Sequence, residues 1–214
     1  MTIKSRILRK IISSSFFWEI RHLFQPDWIE HYDTAHKDIS FIINFVKDNN
    51  IKSVLDFGCA SGSTLKKLKK FDQNILVYGV DINKKAIDYC NKKFKNIFKD
   101  GFFFASKLRK DEIQEFLNKS NINRFDIIIF DRVLYCLDKS IFDVLDVIGE
   151  SSYIFIDDFY KNENIKNFGY LHRNWDEILN YYSFQKKIDI GTIYSSVDSA
   201  NARSMIFKKE EKII

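Results

Sequence analysis

The chain has 214 residues, 45% of them hydrophobic, and its 34 Lys and Arg residues outnumber its 29 Asp and Glu residues, giving a formal net charge of +5. This balance is typical of a globular domain and excludes a disordered, collagen-like or coiled-coil chain. The three cysteines show no CxxC spacing, so neither a disulfide framework nor a zinc site is indicated, and a cytoplasmic location is expected. The Lys residues are scattered, which does not favour a nucleic-acid-binding surface.

Residues 1–49 are predicted to form an N-terminal helical cap or lid. The first ten residues are basic and the next are rich in aromatic side chains, as in an amphipathic helix that makes at most peripheral membrane contacts. Glu19 and Arg21 interrupt the apolar part, which disfavours a signal peptide. His36 lies in this segment and is a candidate catalytic base.

Strands and helices are predicted to alternate along the rest of the chain. A periodic apolar face that includes Ile39, Ile42 and Val46 predicts a helix through about residue 49. Strands are predicted at 53–56, 74–81, within 97–105, at 125–131 and at 152–157, and helices at 63–70, from 83 through 89, and at 140–148. A helix at 175–182 then precedes two strands, 184–194 and 202–208, with no long helix between them, so these two strands are expected to be antiparallel.

This order of elements predicts the fold class. Near-continuous apolar strands separated by helices are typical of a parallel sheet that is covered on both faces. We therefore expect an α/β fold: a doubly wound, mostly parallel seven-stranded sheet with an antiparallel last strand. Residues 50–214 form its core, and the N-terminal segment completes one compact domain.

A glycine-rich turn follows the first predicted strand. It reads Gly58-Cys59-Ala60-Ser61-Gly62, and Asp56 precedes it. In an open parallel sheet, ligands bind outside the carboxyl ends of the strands, where this turn lies. The spacing differs from the GxGxxG of dinucleotide sites, and a glycine at position 58 would let a ligand lie against the backbone. With Asp56 as an acceptor, the turn suits a ligand that carries an ammonium group and no phosphate.

The second predicted strand ends in Val80-Asp81-Ile82. A carboxylate in this position can accept hydrogen bonds from both hydroxyls of a ribose, and Ile82 offers an apolar face to a purine. Because both hydroxyls would be recognised, the expected ribose is unphosphorylated.

These two motifs together resemble the class I S-adenosylmethionine-dependent methyltransferases over about residues 50–210. The resemblance implies a Rossmann-like fold with S-adenosylmethionine as cofactor. The implied cofactor-binding residues are Asp56, Gly58, Cys59, Ala60, Ser61, Gly62, Asp81, Ile82 and Asp131. In this family a polar residue after the third strand contacts the adenine, and Ser106 or Asp111 is the candidate here.

Three aspartates lie at the ends of the fourth and fifth predicted strands. The stretches Asp131-Arg-Val-Leu-Tyr and Asp157-Asp158-Phe are similar to those of metal-dependent sugar O-methyltransferases of macrolide and aminocoumarin tailoring. That resemblance implies a Mg²⁺ ion held by Asp131, Asp157 and Asp158, whose hard oxygens suit it. The family's second acid is replaced here by Val133, so its general base is not carried over. A metal-free enzyme in which Asp158 caps the next segment is the alternative.

The function expected from these resemblances is methyl transfer to a small molecule, with O-methylation of a sugar or glycan precursor favoured. The candidate catalytic residues are Asp131, Asp157 and His36. Two alternatives stay open: a metal-independent N-methyltransferase and a non-catalytic module that binds an adenosyl ligand. A nucleic-acid substrate is not expected, because the Asn-Pro-Pro-Tyr type of motif used on base nitrogens is replaced by Asp131-Arg-Val-Leu.

Overall fold

The computed structural model describes residues 39–97, 103–105, 109–134, 140–148, 151–159, 183–194 and 201–209, together with residues 17, 20, 21 and 24. The helices are α1 (Ser40–Asp48), α2 (Ser63–Phe71), α3 (Lys84–Lys93), α4 (Lys110–Ser120) and α5 (Ser140–Ile148). The strands are β1 (Ser53–Phe57), β2 (Leu76–Asp81), β3 (Phe103–Ala105), β4 (Ile127–Asp131), β5 (Tyr153–Phe159), β6 (Phe184–Tyr194) and β7 (Asn201–Lys209).

The described strands form one sheet in the order β3-β2-β1-β4-β5-β7-β6. The first five strands pair in parallel, and β7 runs antiparallel between β5 and β6. The predicted mostly parallel α/β sheet with an antiparallel last strand is therefore confirmed. Since β1 and β4 are neighbours at the centre, the chain reverses its direction of winding there, and the carboxyl ends of these strands are the expected ligand-binding edge.

Two apolar layers cover the sheet. One layer packs α4 and α5 against alternate strand residues such as Leu55 and Ile128. The other packs α1, α2 and α3 against the intervening residues such as Val54 and Ile127. All five residues of β1 are buried, because a central strand with helices on both faces has no exposed side.

Helix α4 was not predicted from the sequence. Its apolar residues Ile113, Phe116 and Leu117 are buried against the sheet, although most of its other residues are polar and exposed. Asp111, one candidate for an adenine contact, lies exposed in the first turn of this helix. The other candidate, Ser106, lies outside the described residues.

Helix α1 is the part of the predicted N-terminal cap that the structure describes in full. It packs on the sheet through Ile42, Phe45 and Val46, and the Phe45 ring meets the edge of Tyr153 at a centroid distance of 5.1 Å. His36 and the predicted helix at 175–182 lie outside the described residues. Among the helices in the described parts of the chain, none is long and apolar enough to cross a membrane.

Candidate functional site

The glycine-rich turn connects β1 to α2 and is fastened to the end of β2. The Gly58 and Cys59 amides both donate to the Val80 carbonyl, at 2.7 and 3.2 Å, and the Gly62 amide donates to the Cys59 carbonyl at 2.8 Å. Gly58 and Gly62 have positive φ angles of 85° and 71°, a region in which glycine is favoured. The turn therefore holds a defined shape at the carboxyl ends of β1 and β2.

The space beside Gly58 is filled by Val133. A Cβ added at Gly58 would lie 2.7 Å from Val133 Cγ2, closer than real side chains approach. The sequence suggested that the missing side chain leaves room for a ligand. The structure shows a second reason for this glycine, because the chain leaving β4 packs against the turn at this position.

Asp81 connects the turn to the start of α3. Its Oδ2 accepts a hydrogen bond from the Ala60 amide at 2.9 Å, and its Oδ1 accepts one from the Asn83 amide at 2.7 Å. Asn83 in turn caps α3 by accepting from the Lys85 and Ala86 amides. Burial raises the pKa of Asp81, and the two amide donors oppose that rise. Asp81 and the neighbouring Ile82 are both partly exposed residues, so a ligand can reach this end of β2.

Four aspartates lie on the same face of the sheet, at or near the carboxyl ends of four adjacent strands. Side chains alternate along a strand, and Asp56, Asp81, Asp131 and Asp157 all fall on the face covered by α1, α2 and α3. Asp56 is buried, and its pKa is raised well above the ordinary value by burial first and then by the charges of Asp131 and Asp81. The carboxyl groups of Asp56, Asp81 and Asp131 therefore form one interacting cluster near the turn.

Both carboxylate oxygens of Asp157 accept hydrogen bonds from other side chains. Its Oδ1 accepts from Arg132 Nε at 3.0 Å and its Oδ2 accepts from Ser204 Oγ at 2.8 Å. The following residue, Asp158, is also buried but faces the opposite side of the sheet because it is the next residue on the same strand.

The three late aspartates therefore do not fit the predicted Mg²⁺ site. Asp131 and Asp157 share a face, but Asp157 has both oxygens bound, and Asp158 points to the other face. Among the residues that the structure describes, no group of three or more His, Cys, Asp or Glu side chains could hold a metal ion. The sequence pattern alone could not show this, since adjacent aspartates look equivalent in a motif.

The start of α2 offers hydrogen-bonding groups that fit the predicted cofactor. Ser61 Oγ is buried and has no hydrogen-bond partner among the residues that the structure describes. Helix α2 begins after Gly62, where no described side chain caps it, and its first amide groups suit an anion such as a carboxylate. An amino-acid portion with a carboxylate and an ammonium group therefore matches the turn above the aspartates.

Two buried cysteines lie at the turn, Cys59 within it and Cys90 beside it. Cys90 Sγ, on α3, donates to the Ala60 carbonyl at 3.4 Å. Burial, followed by its hydrogen bond to Cys90, raises the pKa of Cys59 well above its usual value. Cys59 is therefore a poor thiolate nucleophile, and its contact with the cofactor stays a prediction.

Known proteins resemble this chain in sequence pattern and in fold. A family model described as a methyltransferase domain matches residues 48–205. No curated protein matches the sequence.

Several solved structures share the fold. Magnesium protoporphyrin IX methyltransferase from Synechocystis PCC 6803 with bound S-adenosylmethionine is 16% identical, covers 98% of this chain and 99% of its own, and has a TM-score of 0.58. N-methyltransferase NodS from Bradyrhizobium japonicum WM9 is 14% identical over 80% of this chain and 94% of its own, with a TM-score of 0.57. TrmK of M. capricolum in complex with S-adenosyl-homocysteine is 17% identical over 80% of this chain and 69% of its own, with a TM-score of 0.56.

Proposed function

The chain belongs to the methyltransferase domain family, and from that premise we propose that it transfers the methyl group of S-adenosylmethionine to a hydroxyl of a small molecule, a sugar or glycan precursor being the favoured class. S-adenosylmethionine dependence is supported by solved structures of the same fold that hold this cofactor or its demethylated product. The choice of a hydroxyl as the acceptor rests on Asp131.

The cofactor would be held by the edge of the sheet formed by β1 and β2. Ser61 and the first amides of α2 suit its carboxylate, and the aspartate cluster suits its ammonium and sulfonium charges. Asp81 suits the ribose hydroxyls, and Ile82 suits the adenine. When bound, S-adenosylmethionine supplies an activated methyl group.

The observation that carries the choice of a hydroxyl acceptor is the position of Asp131. It ends β4 beside the glycine turn, it is partly exposed, and its charge acts on Asp56 within the same cluster. A carboxylate there can accept the proton of an attacking hydroxyl while the oxygen bonds to the methyl carbon. The bond from that carbon to sulfur breaks in the same step, and sulfur keeps the electron pair.

The partner expected is therefore a small molecule, and the expected compartment is the cytoplasm. Cys59 and Cys90 are both free thiols, which supports a reducing compartment. Neither expectation depends on the choice of acceptor atom.

Calorimetry with S-adenosylmethionine, S-adenosylhomocysteine and NAD tests the cofactor, and transfer of a labelled methyl group to sugars and to cell extract tests the reaction. Binding of the first two ligands, with label appearing on a sugar oxygen and surviving EDTA, supports the proposal. Label on nitrogen would overturn the hydroxyl acceptor, and cofactor binding without any transfer would indicate a non-catalytic module. Loss of transfer after chelation would restore the metal-dependent alternative.

A further inference from the structure

We propose that Asp157 is a positioning residue. It holds Arg132 in a left-handed backbone conformation, which fixes the direction of the chain from Asp131 to Val133. These residues then form one wall of the cofactor pocket. This role rests on the proposed function, since it assumes that the glycine-rich turn binds S-adenosylmethionine. It also replaces the catalytic role expected for Asp157 from the sequence.

The backbone at Arg132 is unusual. Its φ angle is +55°, in the left-handed region that side chains with a Cβ rarely adopt. Such a conformation persists only where surrounding contacts impose it, and it is concentrated at functional sites. Two of the contacts that hold it here come from Asp157 on β5.

Arg132 donates two hydrogen bonds to Asp157, one from its backbone and one from its side chain. Its backbone amide donates to the Asp157 carbonyl at 2.7 Å, and its Nε donates to Asp157 Oδ1 at 3.0 Å. Ser204, which is paired with Asp157 across β5 and β7, donates to the other carboxylate oxygen at 2.8 Å. Asp157 is 1% exposed and Ser204 is 0% exposed, so the anchor is buried on all sides. Two strands therefore fix the residue that follows β4.

The turn determines what lies beside the glycine-rich loop. Asp131 immediately precedes Arg132, and Val133 immediately follows it. Val133 packs so close to Gly58 that a Cβ added at Gly58 would lie 2.7 Å from Val133 Cγ2. A change of backbone conformation at Arg132 would therefore move Val133 away from Gly58 and Asp131 away from Asp56. The cofactor pocket would lose its shape although none of its binding groups had been removed.

Two double variants separate the effect of the backbone conformation at residue 132 from the effect of the Arg132–Asp157 ion pair. Arg132→Gly/Asp157→Asn and Arg132→Ala/Asp157→Asn both lack the guanidinium and the buried carboxylate charge, and they differ only in how easily residue 132 adopts a positive φ. We expect the glycine variant to bind S-adenosylhomocysteine about fivefold or more tightly than the alanine variant, as measured by calorimetry. A contact of the guanidinium with the ligand would weaken both variants equally, and that outcome would overturn the positioning role.

A milder variant guards against loss of folding. Ser204→Ala removes one hydrogen bond from Asp157 and leaves the charge pair in place, so we expect affinity for S-adenosylhomocysteine to fall by roughly two- to tenfold. A drop in thermal stability with unchanged affinity in every variant would show a merely structural network and overturn the inference. Absence of binding by the wild-type chain would instead overturn the proposed function, and the positioning role with it.

Discussion

Val133 packs against Gly58 so closely that its Cγ2 would lie 2.7 Å from a Cβ at that glycine. The contact joins the chain leaving β4 to the turn that follows β1, the two segments that flank the centre of the sheet. Gly58 is therefore constrained twice, once by its φ of +85° and once by this neighbour.

Replacing Gly58 by alanine should destabilise the fold by at least about 2 kcal/mol, from backbone strain together with overpacking. Urea denaturation measures the loss. Gly58→Ala combined with Val133→Ala should recover only the overpacking part, about 1 kcal/mol, because the strain at φ +85° stays. Strict additivity of the two substitutions would contradict the contact.

Asp81 should be required for cofactor affinity. Asp81→Asn removes the charge and turns one acceptor into a donor that faces the Ala60 or Asn83 amide. We expect affinity for S-adenosylhomocysteine to fall about tenfold or more in calorimetry. Asp88→Asn is the matched control, since Asp88 lies exposed on α3 and pairs only with Lys84 among the contacts described. Unaltered affinity in Asp81→Asn would remove the ribose assignment.

Ser61→Ala should separate binding from stability. The hydroxyl is buried and no described residue bonds to it, so its removal should leave the free energy of unfolding unchanged or slightly raised. Affinity for S-adenosylhomocysteine should fall by about two- to tenfold. Ser120→Ala is the opposite case, because Ser120 Oγ donates to the Leu117 carbonyl at the far end of α4. It should lose stability and keep its affinity, and the same pattern in both variants would contradict the role of Ser61.

The sequence was most informative where local pattern and burial agree. Strands such as β1 and β4 are continuous apolar runs, and glycines at 58 and 62 mark a turn that few residues other than glycine can form. Asp81 ends the next strand, and the parallel pairing of the two strands places it at the same edge of the sheet as the turn. These features depend on neighbours in the chain, so the sequence alone could place them.

The features that escaped prediction depend on contacts between distant strands. The Arg132 turn is fixed by β5 and β7, and the closeness of Val133 to Gly58 depends on β4 lying beside β1. Helix α4 escaped for another reason, since only its buried stripe at Ile113, Phe116 and Leu117 is apolar. The late aspartates looked alike in a motif, and only the strand alternation separates Asp157 from Asp158.

Asp131→Asn should abolish most of the turnover without abolishing cofactor binding. If its carboxylate accepts the hydroxyl proton, turnover with an acceptor found by label transfer should fall about 100-fold or more. Affinity for S-adenosylhomocysteine should change much less, because the other groups of the pocket remain. Asp143→Asn, on the exposed side of α5, is the control and should keep full activity. Turnover within about twofold of wild type in Asp131→Asn would exclude it as the base.

Asp56 should make both stability and binding depend on pH. Its folded-state pKa is raised well above the ordinary value, first by burial and then by Asp131 and Asp81. The neutral acid is therefore favoured in the folded protein. Its contribution to stability should be fully present below the ordinary Asp pKa of about 3.9 and should be lost as pH rises through the raised value. Urea denaturation of Asp56→Asn should show a smaller fall in stability across that range.

Binding of a cation should reverse this preference. S-adenosylmethionine carries a net positive charge, so it should stabilise the ionised Asp56 and release a proton when it binds. Its affinity should therefore rise with pH up to the raised pKa of Asp56, while the product S-adenosylhomocysteine, which lacks the sulfonium charge and has no net charge, should show a weaker rise. Calorimetry in two buffers of different ionisation enthalpy measures the proton release directly. Asp56→Asn should remove the difference between the buffers, and a wild-type binding enthalpy that is the same in both buffers would contradict proton release from Asp56.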